Sequence, residues 1–179
     1  MQLTSPGPET TREFAAALAS VVDDSGLVVA LIGPLGAGKT VFAKGVAAGL
    51  GIDPDAVTSP TFAIASEYRS EGTRRLAHVD LYRVASIAEL DAAGFLDLLD
   101  PGTLVLVEWG DRLPGALPAD HLEVRITRPS LCGEPVARGA RKSPESLQRV
   151  VNAVAFGAVS ETALERWEAA ISEGATGRD

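Results

Sequence analysis

The stretch Gly33-Pro34-Leu35-Gly36-Ala37-Gly38-Lys39-Thr40 decides how this chain is read. It satisfies G-x-x-x-x-G-K-[ST] at every fixed position, the pattern of a phosphate-binding loop. Its glycines let the backbone curl until successive N–H groups face one anion, a path that side chains would obstruct. Lys39 then reaches the β- and γ-phosphates as a point charge, and the Thr40 hydroxyl is placed to ligate Mg²⁺. The flanks agree. Leu27-Val28-Val29-Ala30-Leu31-Ile32 is an unbroken apolar run, as in a buried parallel strand. Val41, Phe42, Val46 and Leu50 follow at helical spacing, and Gly49 and Gly51 close that helix. Strand, loop and helix N-terminus bring the helix dipole and the free N–H groups onto one phosphate.

With 179 residues, 46% of them apolar and 22% charged, the chain has the make-up of a soluble globular domain with a real core. One cysteine, Cys132, excludes an internal disulfide and suits a reducing cytoplasm. No apolar run approaches the ~20 residues that span a bilayer. Phe14 to Val22 is not a secretory core either, because Glu9 and Glu13 precede it and a basic leader does not. The net charge of −8 opposes unaided binding to nucleic acid, whose affinity comes from neutralising phosphates.

Before the loop, residues 1–10 read as loose. Thr10 or Thr11 can cap a helix with Phe14, Leu18, Val21 and Val22 as its apolar stripe, and Gly26 ends it. After the first strand and helix come the turn Asp53-Pro54-Asp55 and a hydroxyl-rich loop, Thr58-Ser59-Pro60-Thr61, stiffened by Pro60. Phe62 to Arg69 and Arg74 to Asp80 read as a hairpin about Ser70-Glu71-Gly72-Thr73. An antiparallel pair at this point predicts a mixed sheet. The fold class expected is therefore α/β, a three-layer P-loop NTPase-like fold with a mixed parallel and antiparallel central sheet. Ser86 with Glu89 makes a capping box, and the helix it opens continues past Gly94 to the stop at Asp100-Pro101-Gly102. Thr103 to Val107 is a second buried strand ending in Glu108-Trp109-Gly110, and His121 to Thr127 an edge strand.

Residues 1–130 are thus assigned to a P-loop ATPase domain and 131–179 to a loop and helical extension. In the extension, Ser130 to Lys142 reads as loop, and Ser143 to Ala155 and Glu161 to Ile171 as helices. Residues 125–149 carry six basic side chains (Arg125, Arg128, Arg138, Arg141, Lys142 and Arg149) against two acidic ones. That composition suits a solvated connection better than a nucleic-acid face.

A phosphate loop needs acids near the metal, and two strands deliver them. Glu108 ends its apolar strand in the Walker B manner, and Asp80 ends Leu76-Ala77-His78-Val79. Either can hold Mg²⁺, directly or through water, or orient the attacking water. His78 reads as structural, and two histidines with one cysteine make a zinc site a poor fit. None of the three lysines stands in an Asn/Thr-Lys-x-Asp guanine-recognition element, which favours ATP.

Leu35-Gly36-Ala37-Gly38-Lys39-Thr40, Thr58-Ser59-Pro60-Thr61-Phe62, His78-Val79-Asp80-Leu81-Tyr82-Arg83 and Val107-Glu108-Trp109, in this order and spacing, resemble the TsaE family. That family is the small ATPase subunit of the bacterial machinery that makes threonylcarbamoyladenosine in tRNA. The resemblance spans about residues 8 to 127. It implies a nucleotide set of Gly33, Leu35, Gly36, Ala37, Gly38, Lys39, Thr40 and Val41, with Thr11 nearby. It also implies magnesium on Thr40 and Glu108, hydrolysis served by Asp80 with Lys39, and a switch loop at Ser59, Pro60 and Thr61. Trp109 and Arg83 are further candidates; no obvious arginine finger stands near the motif, and Arg83, three residues past Asp80, comes closest.

The partners implied are the tRNA threonylcarbamoyl-transferase subunit and its paralogous companion, with tRNA reached through them and no membrane. Three departures stand out. Pro34 replaces a common aspartate, Val41 removes a hydroxyl near the α-phosphate, and no C-terminal strand is recognisable after residue 130. A weak, partner-stimulated ATP hydrolase is the leading reading. A small-molecule kinase using Arg138 and Arg141 as lid arginines, and a nucleotide-sensing adaptor without turnover, are the alternatives.

Overall fold

The computed structural model describes residues 1–59, 64–72, 74–113, 115–129 and 148–176. Pro60 and Thr61 of the switch loop lie outside the described residues, as do Arg138, Arg141 and Lys142. The phosphate loop joins β2 (Leu27–Ile32) to α2 (Lys39–Gly49), the strand–loop–helix unit anticipated from the pattern. β2 is the middle of a seven-stranded sheet in the order β1-β7-β6-β2-β5-β4-β3. It pairs in parallel with β5 (Thr103–Glu108) and β6 (Leu122–Thr127), and β5 pairs in parallel with β4 (Arg75–Asp80). β3 (Ala65–Arg69) returns antiparallel on β4 as the expected hairpin, so the sheet is mixed.

At the other edge the structure departs from the sequence reading. Residues 149–155 form strand β7, antiparallel to β6, where a helix over 143–155 was expected. The apolar positions of Arg-Val-Val-Asn-Ala-Val-Ala fit either period. Three β-branched valines and an open β6 edge decide for the strand, which buries Val151 and Ala153. β6 is consequently internal and not an edge. The opening residues are not loose either: β1 (Gln2–Ser5) pairs antiparallel with β7. α1 (Pro8–Val21) starts earlier than a Thr10 or Thr11 cap would place it, with Gly7 as its N-cap and Pro8 in the first position.

Helices cover both faces. On one face α1, α2 and α4 (Ala158–Thr176) pack on Val29, Leu31, Leu104, Leu106 and Val124. α1 and α2 meet through glycines: a Cβ on Gly45 would stand 2.5 Å from the Arg12 carbonyl oxygen, and one on Gly49 2.5 Å from that of Ala16. α2 ends in a Schellman turn, with Ile52 N–H donating to Ala47 O (2.9 Å) and Gly51 N–H to Ala48 O (3.0 Å). Trp167 of α4 is fully buried, meets Phe42 edge-on at 6.0 Å and donates from Nε1 to Phe14 O at 2.7 Å. On the opposite face α3 (Ile87–Ala92) and a 3₁₀ turn (Phe95–Leu98) bury Leu90 and Phe95 against Val79 and Val107. Ser86 Oγ accepts from Glu89 N–H at 3.2 Å, the anticipated cap. Among the described residues no helix is long and apolar enough to cross a membrane.

Candidate functional site

Parallel strands β2, β4 and β5 bring their C-terminal ends to one rim of the sheet, and the site is built there. Gly33 leaves β2 with φ +151, and a Cβ on it would lie 2.2 Å from the Ile126 carbonyl oxygen, so β6 leaves room only for glycine. Gly38, φ +118, is the N-cap of α2. Lys39 opens that helix and is 95% buried, its Nζ donating to Gly33 O (2.8 Å) and Pro34 O (3.3 Å). The same ammonium sits 3.7 Å from the centre of the Trp109 ring, a cation–π contact. Burial pulls the Lys39 pKa below that of a free lysine, while the charges of Glu108, Asp80 and Asp111 pull it back up.

The two acids are lateral neighbours, since Asp80 and Glu108 face each other in the β4–β5 register. Glu108 is buried, and its Oε1 accepts the Thr40 hydroxyl at 3.0 Å. Asp80 is more open. Its Oδ2 accepts from Ser59 Oγ at 3.1 Å, and its Oδ1 from the Tyr82 N–H at 2.8 Å. A hydroxyl and a carboxylate at the foot of a glycine loop are donors for a hard cation. Among the described residues no group of three or more His, Cys, Asp or Glu is placed to hold a metal.

These residues line a cleft of about 810 Å³, together with Leu35, Gly36, Gly38, Val41, Ile64, Arg83, Val84, Glu89 and Arg149. Trp109 closes one wall in the left-handed region (φ 61), a costly conformation for an indole-bearing residue and one found at functional sites. Its ring lies 5.0 Å from Tyr82, over which the Arg112 guanidinium sits at 5.2 Å.

Lys39, Thr40, Val41, Ser59, Asp80, Arg83, Glu108 and Trp109 thus share one cleft. Ala37 is wholly buried and, like Gly33, is not among the residues that line it. Thr11 is placed elsewhere: within α1, buried, its hydroxyl bonded to Ser5 Oγ (2.8 Å) and Gly7 O (3.1 Å), and outside the cleft lining. His78, read from the sequence as structural, has Nε2 3.1 Å from Glu108 Oε1, while its Nδ1 finds no hydrogen-bond partner among the described residues. Its spacing of two from Asp80 already put both side chains on one face of β4. Arg149 carried no such signal, because its place depends on β7.

The family model for threonylcarbamoyl adenosine biosynthesis protein TsaE matches residues 5–133. The tRNA threonylcarbamoyladenosine biosynthesis protein TsaE of Mycobacterium leprae is 44% identical over 111 residues, 58% of this chain and 68% of that one. Its Bacillus subtilis namesake is 40% identical over 121 residues, 68% and 73% of the two chains. The crystal structure of Bacillus subtilis YdiB superposes with a TM-score of 0.66 at 30% identity, covering 94% of this chain and 93% of that one. Both strand-end acids and the whole phosphate loop fall inside the matched residues, and the chain belongs to the TsaE family.

Proposed function

We propose that this protein is an ATPase of tRNA threonylcarbamoyladenosine biosynthesis, slow alone and stimulated by partner proteins. The observation that carries the reading is the 3.0 Å bond between Thr40 Oγ1 and Glu108 Oε1 directly below the glycine loop, with Asp80 on the next strand. Loop N–H groups and Lys39 bind the phosphate chain of ATP, and α2 adds its dipole. Thr40 and Glu108 would hold Mg²⁺, which when bound neutralises phosphate oxygens. Asp80 accepts a hydrogen bond from the attacking water and aligns it on the γ-phosphorus. Ser59 donates to that same carboxylate and so helps to fix its orientation toward the water.

The relatives' name, tRNA threonylcarbamoyladenosine biosynthesis protein, supports a role in that pathway; the partners proposed are the tRNA threonylcarbamoyl-transferase subunit and its paralogous companion. A net charge of −8 leaves contact with tRNA to those partners. Such coupling fits the site, because an arginine supplied in trans raises turnover about 10³–10⁵-fold. The test is steady-state ATP hydrolysis by the purified protein before and after adding both subunits. Stimulation on mixing is expected. Fast hydrolysis alone, unchanged on mixing, refutes the reading.

A further inference from the structure

Arg149 is the first residue of β7 and lies beyond the matched residues 5–133. Its side chain is 95% buried, and its Nε donates to the carbonyl oxygen of Ala37 at 3.0 Å, across 112 residues of chain. It also packs on the next residue of the loop: a Cβ on Gly38 would lie 2.8 Å from the same Nε. Arg128, after β6, reaches the neighbouring carbonyl, Gly36 O, at 3.4 Å. A trans peptide directs its N–H opposite to its C=O. With the Ala37 carbonyl drawn onto Arg149, the N–H of that peptide, Gly38's, is turned the other way, at the end of α2 that receives an anion.

We infer that Arg149 is a positioning residue of the phosphate site, which fixes the Ala37–Gly38 peptide plane so that the loop's N–H groups are already aimed when phosphate arrives. The guanidinium suits this task because its planar donor fork loses little freedom on being fixed, whereas a lysine ammonium is a mobile point charge. The ligand class, a di- or triphosphate, rests on the nucleotide reading above. The loop geometry does not.

The experiment uses the full chain as wild type, Arg149→Met and Arg149→Lys, each checked for folding by thermal unfolding. Amide hydrogen exchange of residues 36–40 is measured without ligand, and ATP and inorganic pyrophosphate are titrated calorimetrically. Loss of a buried, charge-assisted bond predicts affinities about tenfold or more weaker for both ligands in Arg149→Met. Arg149→Lys should lose less, about threefold. In both, exchange at 36–40 speeds up while the rest of the sheet is unchanged, which general destabilisation would not produce. A folded Arg149→Met with wild-type affinities and wild-type exchange overturns the inference. If that variant does not fold, Arg149→Lys with unaltered exchange and affinity does so. A wild type that binds neither ligand defeats the nucleotide reading, and the exchange comparison still decides the role of Arg149.

Discussion

Replacing Lys39 by Met keeps most of the apolar stem and removes the ammonium. That group now rests on two loop carbonyls and the face of Trp109. At about 4 Å and an effective dielectric of about 20, a unit charge on a phosphate oxygen gains about 4 kcal/mol. Part of this is offset, because the ammonium must loosen its bonds to Gly33 O and Pro34 O and its cation–π contact, together worth about 1–2 kcal/mol. The net loss expected is about 2–3 kcal/mol, or about 30- to 150-fold in Kd for Mg·ATP. Removal of the cation also leaves Glu108 and Asp80 facing an anionic ligand without it, which adds to the loss. Calorimetric titration of wild type and variant gives the number. Near-ultraviolet circular dichroism shows whether the Phe42–Trp167 core contact survives. A folded variant within twofold of wild-type affinity would refute the reasoning and place the phosphate site elsewhere.

The two acids should separate in their effects. Glu108→Gln shifts the Mg²⁺ concentration needed for ATP binding, while Asp80→Asn keeps ATP and loses turnover; equal losses in binding and turnover in both variants would show the division to be wrong. Gly45→Ala drives a Cβ to 2.5 Å from the Arg12 carbonyl oxygen. Urea unfolding should show a net destabilisation of about 1–3 kcal/mol, despite the better helix propensity of alanine. At the surface, the Ser25 hydroxyl and then Arg166 hold the Asp23 carboxyl at about 2, below the ordinary 3.8. A depressed acid contributes stability that is full above the unfolded-state value and fades as pH falls from there through about 2. Asp23→Asn should therefore narrow the gap in melting temperature between neutral and strongly acid solution, and an unchanged gap would count against the pairing.

Which parts of this architecture can be read from residues alone follows from the range of the interactions. The phosphate loop was legible because its geometry is local, dictated by glycines and by the strand and helix on either side. Glu108 and Asp80 were legible because a strand ending in an acid after apolar residues is also a local pattern. The β3–β4 hairpin showed itself through its turn residues. β7 did not, because Arg149 to Ala155 fits both periods and only the edge of β6 selects one. The same ambiguity hid β1, whose four residues become a strand only against β7. Thr11 shows the converse: a hydroxyl at a helix start resembles a cap, and here it is a buried link to Ser5 and Gly7. In the sequence Arg149 is one charge among several, and its contact with Ala37 arises only when β7 pairs with β6.

The pairing of β1 with β7 has a consequence for the order of assembly. A strand at residues 2–5 finds its partner only at 149–152, so this edge closes only after those residues have been made. Contacts of such separation must meet their loop-closure entropy before they return any stability, and they slow folding. During synthesis from the N-terminus, the glycine loop leaves the ribosome long before the arginine that steadies it. A nascent chain ending short of β7 thus carries the complete phosphate motif on an unfinished scaffold. Under the nucleotide reading proposed above, tight binding therefore waits until β7 has been made and Arg149 has reached the loop.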